Sequence, residues 1–212
     1  SAISGNIGVG KTTLCTNLSR EITGSFFLEE ELENPYLPDF YAHLKENPHS
    51  YNPYAYKLQL YFLEKRLARE KEAGEKNDVL LVDRCLMEYF EIFVRNLYDS
   101  GVMRPEEFES LREMYKKNVK REIQPDVIFL LRSSIDENFR RIQKRSRKCE
   151  KNNLSIDYLK TLASHYARFE ERVKKEWDEV EVIEIETDGV CPEKVFEEVR
   201  KHVLKKLNRS SD

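Results

Sequence analysis

Short apolar runs alternate along the chain with longer stretches in which apolar residues recur every three or four positions. Continuous runs at Ser25-Phe26-Phe27-Leu28, Val79-Leu80-Leu81-Val82 and Val127-Ile128-Phe129-Leu130-Leu131 have the length and β-branched or aromatic content of strands buried on both faces. Ser1-Ala2-Ile3-Ser4 predicts a short first strand, and Val180, Val182, Ile183 and Ile185, interleaved with glutamates, predict a half-exposed edge strand. Helical spacing follows each run: Leu14, Leu18 and Ile22; residues 54–72; 86–98; 106–121; from Ile135; Ile156 through Leu159, Leu162, Tyr166, Phe169 and Val173 to Trp177; and Val195 to Leu207. Proline-broken segments at Asn34-Pro35-Tyr36-Leu37-Pro38 and between Asn47-Pro48 and Asn52-Pro53 predict irregular backbone. The pattern predicts one domain over residues 1–212, an α/β fold whose five-stranded parallel sheet is covered on both faces by right-handed crossovers.

Chemistry enters at the first strand-to-helix junction. Gly5-Asn6-Ile7-Gly8-Val9-Gly10-Lys11-Thr12-Thr13 has the spacing of a phosphate-binding loop. Glycines let the backbone curl and turn its N–H groups inward, while the helix behind aims its N-terminal partial charge at the same point. Lys11 adds a mobile cation for the β- and γ-phosphates, and the Thr12 hydroxyl is placed for Mg²⁺. The motif implies ATP or another nucleoside triphosphate and leaves the reaction open.

Bulk properties narrow the partners. Against 36 lysines and arginines stand 39 acids, a net charge of −3, which argues against general nucleic-acid binding. Cys15, Cys85, Cys149 and Cys191 show no paired spacing, which suits a reducing, cytoplasmic setting over a zinc site or disulfide framework. No apolar run reaches membrane-spanning length. The first strand starts almost at residue 1, so a removed targeting segment would leave no trace.

Neither the Asp-x-x-Gly and Asn-Lys-x-Asp motifs of Ras-type GTPases nor the paired acids of motor-type ATPases are present. Instead an acidic stretch with Glu-Asn-Pro-Tyr follows strand 2, Leu58-Gln59-Leu60-Tyr61 opens a helix face that Arg66 shares two turns on, Asp83-Arg84 ends strand 3, and residues 140–148 hold six cations before Glu150. In this order, with the phosphate loop, the motifs make the chain resemble the deoxyribonucleoside kinase family, in particular its bacterial deoxyadenosine and deoxyguanosine kinases. The likeness runs nearly end to end. It implies a P-loop kinase fold, ATP with Mg²⁺ as donor, a deoxyribonucleoside as acceptor in nucleotide salvage, and a homodimer built through the helices at 54–72 and 86–98.

The resemblance also implies roles. Glu29 would be the general base for the 5′-hydroxyl, with Glu30 or Glu31 replacing it if the register slips. Gln59 would pair with the nucleobase edge. Arg84 would orient the 5′-oxygen and phosphate, and Asp83 would hold Mg²⁺ with Thr12. Arg141, Arg145 and Arg147 would close as a lid, about 140–153, over the phosphates; the bland alternative is a solvated basic face. Glu150 and Tyr41 would take the sugar 3′-hydroxyl, and Phe93 would stack on the base or belong to the core. One departure stands out: where many members carry an aspartate partnering the helix arginine, this chain has Tyr89. Either Glu88 substitutes or Arg66 finds another partner. The runner-up reading is a thymidylate-type nucleoside monophosphate kinase, which the acidic stretch at Glu29 to Glu33 suits poorly.

Overall fold

The computed structural model describes residues 1–22, 25–28, 33–76, 79–119, 124–144 and 154–209. Five strands form one parallel sheet: β1 (Ala2–Gly5), β2 (Ser25–Leu28), β3 (Val79–Asp83), β4 (Val127–Arg132) and β5 (Glu181–Glu186), in the order β2-β3-β1-β4-β5. The glutamate-interleaved strand takes an edge, as its alternation demands. The register pairs Ala2 with Val82 and Ile3 with Asp83, and Gly5 with Leu131. The phosphate loop and Asp83-Arg84 therefore leave the sheet side by side at its carboxyl edge, where α/β folds place ligands.

Period-two alternation divides the strand residues between two faces. Ile3, Leu81, Phe129, Leu131 and Ile185 pack against α1 (Lys11–Glu21) and against α10 (Pro192–Arg209) through Leu14, Leu18, Val199 and Val203. Ala2, Val82, Ile128 and Leu130 face Met87, Ile92, Leu162, Tyr166, Phe169 and Val173 on the other side. Beyond that second layer a helical cluster joins α2 (Leu37–Glu46), α3 (Ala55–Lys76) and α6 (Pro105–Asn118), with Phe90 stacked on Tyr115 at 4.7 Å.

Three local features differ from the sequence reading. The first proline-rich stretch gives way to α2, because Pro38 lies in the first turn, where a missing N–H costs nothing. Asn34 and Asn52 secure the surrounding bends: their amides donate to Leu58 O and Phe40 O, each at 3.0 Å, and their side-chain oxygens accept from Tyr36 N and Tyr54 N. Second, residues 156–177 form two helices, α8 (Ile156–Tyr166) and α9 (Phe169–Glu176). Arg168 N bonds back to His165 O at 3.1 Å, a tight i→i−3 turn that keeps Tyr166 and Phe169 both buried, so the apolar spacing conceals the break. Third, the helix at 86–98 comprises α4 (Leu86–Glu88), a π-helical segment (Tyr89–Val94) and α5 (Arg95–Asp99). α7 (Ile135–Lys144) carries the described start of the basic segment.

Candidate active site

The phosphate loop owes its shape to its glycines and to α7. Gly8 has φ +91°, and a Cβ there would lie 2.5 Å from Asn138 O; Gly10, at φ +109°, faces open space. Asn6 closes the loop from within, its Oδ1 accepting from Ile7 N at 2.8 Å while its Nδ2 donates to Leu159 O at 3.0 Å. Arg141 clamps the outside: Nη1 donates to Val9 O at 2.9 Å, Nη2 to Thr187 O at 3.4 Å, and Nε to Glu137 at 2.6 Å. Two side-chain bonds from Arg140 and Arg141 hold the Glu137 carboxyl well below its usual range, at about 2.

Inside the loop two cations meet one carbonyl. Lys11 Nζ donates to Gly5 O at 2.9 Å and Asn6 O at 3.0 Å, and Arg84 Nη1 donates to Gly5 O at 3.1 Å. Both side chains are buried. Beside them Thr12 Oγ1 donates to Asp83 Oδ2. Arg84 has φ +67° and is the sole non-glycine residue with positive φ among those described. That conformation costs ~1–2 kcal/mol for a residue with a Cβ, and here it turns the guanidinium back over the end of β1. Nη1 also reaches Glu88 Oε1 at 2.5 Å and Tyr166 OH at 2.9 Å, and the guanidinium lies 4.6 Å above the Phe93 ring. Phe93 thus stacks on a cation, an arrangement neither sequence option named. Cys85, next in sequence, is buried with its thiol pushed up to about 12 by desolvation, which makes it an inert N-cap for α4.

The helical cluster supplies the other wall. Gln59 is 5% exposed and its Oε1 has no hydrogen-bond partner among the described residues, while its backbone carbonyl accepts from Tyr89 OH at 2.6 Å. Tyr41 is buried in the same cluster. Arg66 is partnered otherwise than by Glu88: it donates to Glu70 Oε1 at 3.3 Å and to Asp83 O at 2.9 Å, pinning the end of β3. Burial raises the Glu70 carboxyl to about 7 against the opposing pull of Arg66.

Gly5 to Thr13, Asp83, Arg84 and Phe93 are thus gathered at one sheet edge, with Arg141 on the loop's outer side and Gln59 in the adjoining helical cluster. Glu29, Arg145, Arg147 and Glu150 lie outside the described residues, as does most of the lid span 140–153. Among the described residues no cluster of three or more histidines, cysteines or acids is arranged as a metal cage. From the sequence, Glu88 is weighed only as a partner for Arg66, and Tyr166 only as an apolar helix position. Glu88 stands one helical turn after Arg84, an i,i+4 spacing that signals an ion pair. Tyr166 is 82 residues away and reads as one more apolar position on α8.

The sequence model of the family described as deoxynucleoside kinase matches residues 2–209. A deoxyguanosine kinase of Lactobacillus johnsonii is 36% identical over 184 residues, covering 84% of this chain and 75% of its own length. A deoxyadenosine kinase of Dictyostelium discoideum is 31% identical over 168 residues, covering 79% of this chain; the chain spans 65% of that relative's length. Among solved structures, deoxyadenosine kinase from M. mycoides with dCMP and a flexible dCDP bound superposes with a TM-score of 0.77 at 25% identity over 98% of both chains. Described strand by strand and matched over almost its whole length, the chain belongs to the deoxynucleoside kinase family.

Proposed function

We propose that the protein transfers the γ-phosphoryl group of ATP to the 5′-hydroxyl of a deoxyribonucleoside, deoxyadenosine, deoxyguanosine or deoxycytidine, giving the monophosphate and ADP. The observation that carries this is the meeting of Lys11 and Arg84 on Gly5 O beside the Thr12–Asp83 pair. Phosphoryl transfer needs little covalent help from the protein and much positioning and charge neutralisation. Lys11 and the loop amides serve the β- and γ-phosphates, and Arg84 serves the migrating phosphoryl and the attacking oxygen. The 5′-oxygen bonds to the γ-phosphorus as the bond to the β–γ bridging oxygen breaks, and Glu29 accepts the hydroxyl proton.

A hydroxyl and a carboxylate in contact offer the hard oxygen donors Mg²⁺ prefers, and one carboxylate with substrate phosphates is its usual manner of binding. Thr12 and Asp83 would hold it. The ion would neutralise charge on the phosphate oxygens. Arg141, Arg145 and Arg147 form the lid side, which excludes water that would otherwise consume ATP. Gln59 reads the base, supported by its buried oxygen, unpartnered among the described residues; Tyr41 and Glu150 take the sugar 3′-hydroxyl; Phe93 braces the Arg84 guanidinium. A two-fold dimer through the helices at 54–72 and 86–98 completes the reading. No described helix is long and apolar enough to cross a membrane.

Steady-state phosphorylation with Mg²⁺-ATP, run in parallel on deoxyadenosine, deoxyguanosine, deoxycytidine, thymidine and thymidine monophosphate, tests the proposal. Turnover on the nucleosides is expected. Turnover on thymidine monophosphate alone would refute it in favour of a nucleoside monophosphate kinase.

A further inference from the structure

Arg84 poses a problem that its own role does not solve. A guanidinium 5% exposed sits within reach of the Gly5 carbonyl that a second buried cation, Lys11, also contacts, and its backbone holds a conformation that side chains disfavour. Buried charge of one sign is costly unless paired, so something must compensate it.

Glu88 supplies a buried counter-charge. It is fully buried, and its Oε1 receives three contacts: Arg84 Nη1 at 2.5 Å, Gly5 N at 3.2 Å, and the Tyr166 hydroxyl. Tyr166 OH in turn lies 2.8 Å from Gly5 O and accepts from Arg84 Nη1 at 2.9 Å. Gly5, the first residue of the phosphate loop, is therefore gripped at both ends of its backbone: its N–H by Glu88, and its carbonyl by Lys11 and Arg84, with the Tyr166 hydroxyl shared between that carbonyl and Glu88. Three distant segments, the loop, the Asp83-Arg84 corner and the end of α8, meet on one carboxylate oxygen. The π-helical segment begins one residue later, and its wider turn brings Phe93, five residues after Glu88, under the same guanidinium.

We infer that Glu88, seconded by the Tyr166 hydroxyl, is the positioning residue for Arg84 in the family's phosphoryl-transfer reaction. It locks the guanidinium and the first glycine of the phosphate loop into one unit, so that the donor's cradle and the acceptor-side arginine keep a fixed relation. This rests on the proposed role of Arg84. Glu88 touches no reacting atom in this scheme; its effect passes through Arg84. A displaced positioning contact costs up to about 100-fold in rate while leaving ground-state binding largely intact.

The test is a double-mutant cycle on kcat with wild type, Glu88→Gln, Arg84→Lys and the pair, with Tyr166→Phe alongside. Glu88→Gln is expected to lower kcat by about 10- to 100-fold, with KM for ATP and nucleoside changed less than about threefold. In the Arg84→Lys background it should cost less than about threefold more, because the group it positions is already gone. Multiplicative losses, or unchanged kcat in Glu88→Gln, would overturn the inference while leaving the Arg84 reading intact. Wild-type kcat in Arg84→Lys would instead refute the Arg84 reading itself. Should Glu88→Gln not fold, Tyr166→Phe, which keeps the ring and removes one hydroxyl, carries the same cycle: a kcat loss absent in the Arg84→Lys background supports the inference, and a loss that persists there refutes it.

Discussion

Gln59→Leu should make the free protein more stable and the enzyme worse. Gln59 lies in α3 at 5% exposure, with an amide oxygen that no group among the described residues satisfies. Leaving a buried acceptor without a partner costs about 1–3 kcal/mol, and leucine removes that acceptor at similar volume. Packing strain takes back part of the gain, so about 1 kcal/mol of net stabilisation is expected, or roughly 2–4 °C in melting temperature for a chain of this size. The kinetic effect has the opposite sign. Two neutral hydrogen bonds to a base edge, at about 0.5–1.5 kcal/mol each, correspond to a loss of about 5- to 150-fold in kcat/KM for the nucleoside. KM for ATP should stay within about twofold, since the loop meets this cluster only through Ile7 among its partly buried hydrophobics and Gln59 makes no described bond to it. Thermal unfolding of the ligand-free protein and steady-state kinetics with varied nucleoside check the pair of signs. A lower melting temperature with unchanged kcat/KM would show that the Gln59 amide is a structural group, and the base-reading role would fall.

Other perturbations separate the remaining parts. Gly8→Ala places a Cβ 2.5 Å from the Asn138 carbonyl at φ +91°; strain and overpacking together should cost about 2–5 kcal/mol, read as a lowered denaturation midpoint. Gly10→Ala meets no atom within 4 Å and should cost only the conformational part, about 1–2 kcal/mol, while its Cβ weakens ATP binding measured by titration. Glu70, raised to about 7, binds a proton in the folded state that the unfolded chain releases near pH 4.5, so stability falls as pH rises between those values. Glu70→Gln should flatten that fall, worth about 3 kcal/mol at most, in denaturant melts from pH 4.5 to 7.5. Glu29→Gln should cut turnover by about 10²- to 10⁴-fold with nucleoside binding retained, and near-normal turnover would remove Glu29 as the base.

What the sequence made legible was whatever is encoded contiguously. The phosphate loop is contiguous, and the backbone and charge requirements on Gly5, Gly10, Lys11 and Thr12 recur at a fixed spacing, so spacing alone located Lys11 and Thr12. The strands could be read because burial on both faces leaves no room for polar residues, and the glutamates of β5 marked it as an edge. The α2 helix was not legible from its prolines, because proline forbids a helix interior and permits a first turn, and only the capping context distinguishes the two. The division at Ala167 and Arg168 was hidden for the same kind of reason: a tight turn shortens the helix without moving its apolar residues off the buried face.

The active-site arginines carry the larger lesson. Both Arg66 and Arg84 stand four residues before a glutamate, Glu70 and Glu88, and both pairs form. Local spacing therefore predicts the ion pairs and says nothing about their purpose, which depends on what the other guanidinium nitrogens and carboxylate contacts reach. Arg66 continues to Asp83 O and so holds the end of a strand. Arg84 continues to Gly5 O and Tyr166, because its left-handed backbone aims it across β1 and toward the loop. With Tyr89 occupied on the Gln59 carbonyl and Arg66 committed to β3, the base edge is, on the proposed reading, left to the Gln59 amide among these three. An amide presents a donor and an acceptor side by side and suits amino- and oxo-bearing edges alike when it turns over. On the proposed reading Tyr89 stands where the family resemblance implies an acid, and a fixed acceptor there would favour amino-bearing bases. The ratio of kcat/KM for deoxyadenosine to that for thymidine should accordingly rise in Tyr89→Asp by about 10-fold or more, one charge-assisted hydrogen bond's worth; an unchanged ratio would mean that base choice is set elsewhere in the pocket.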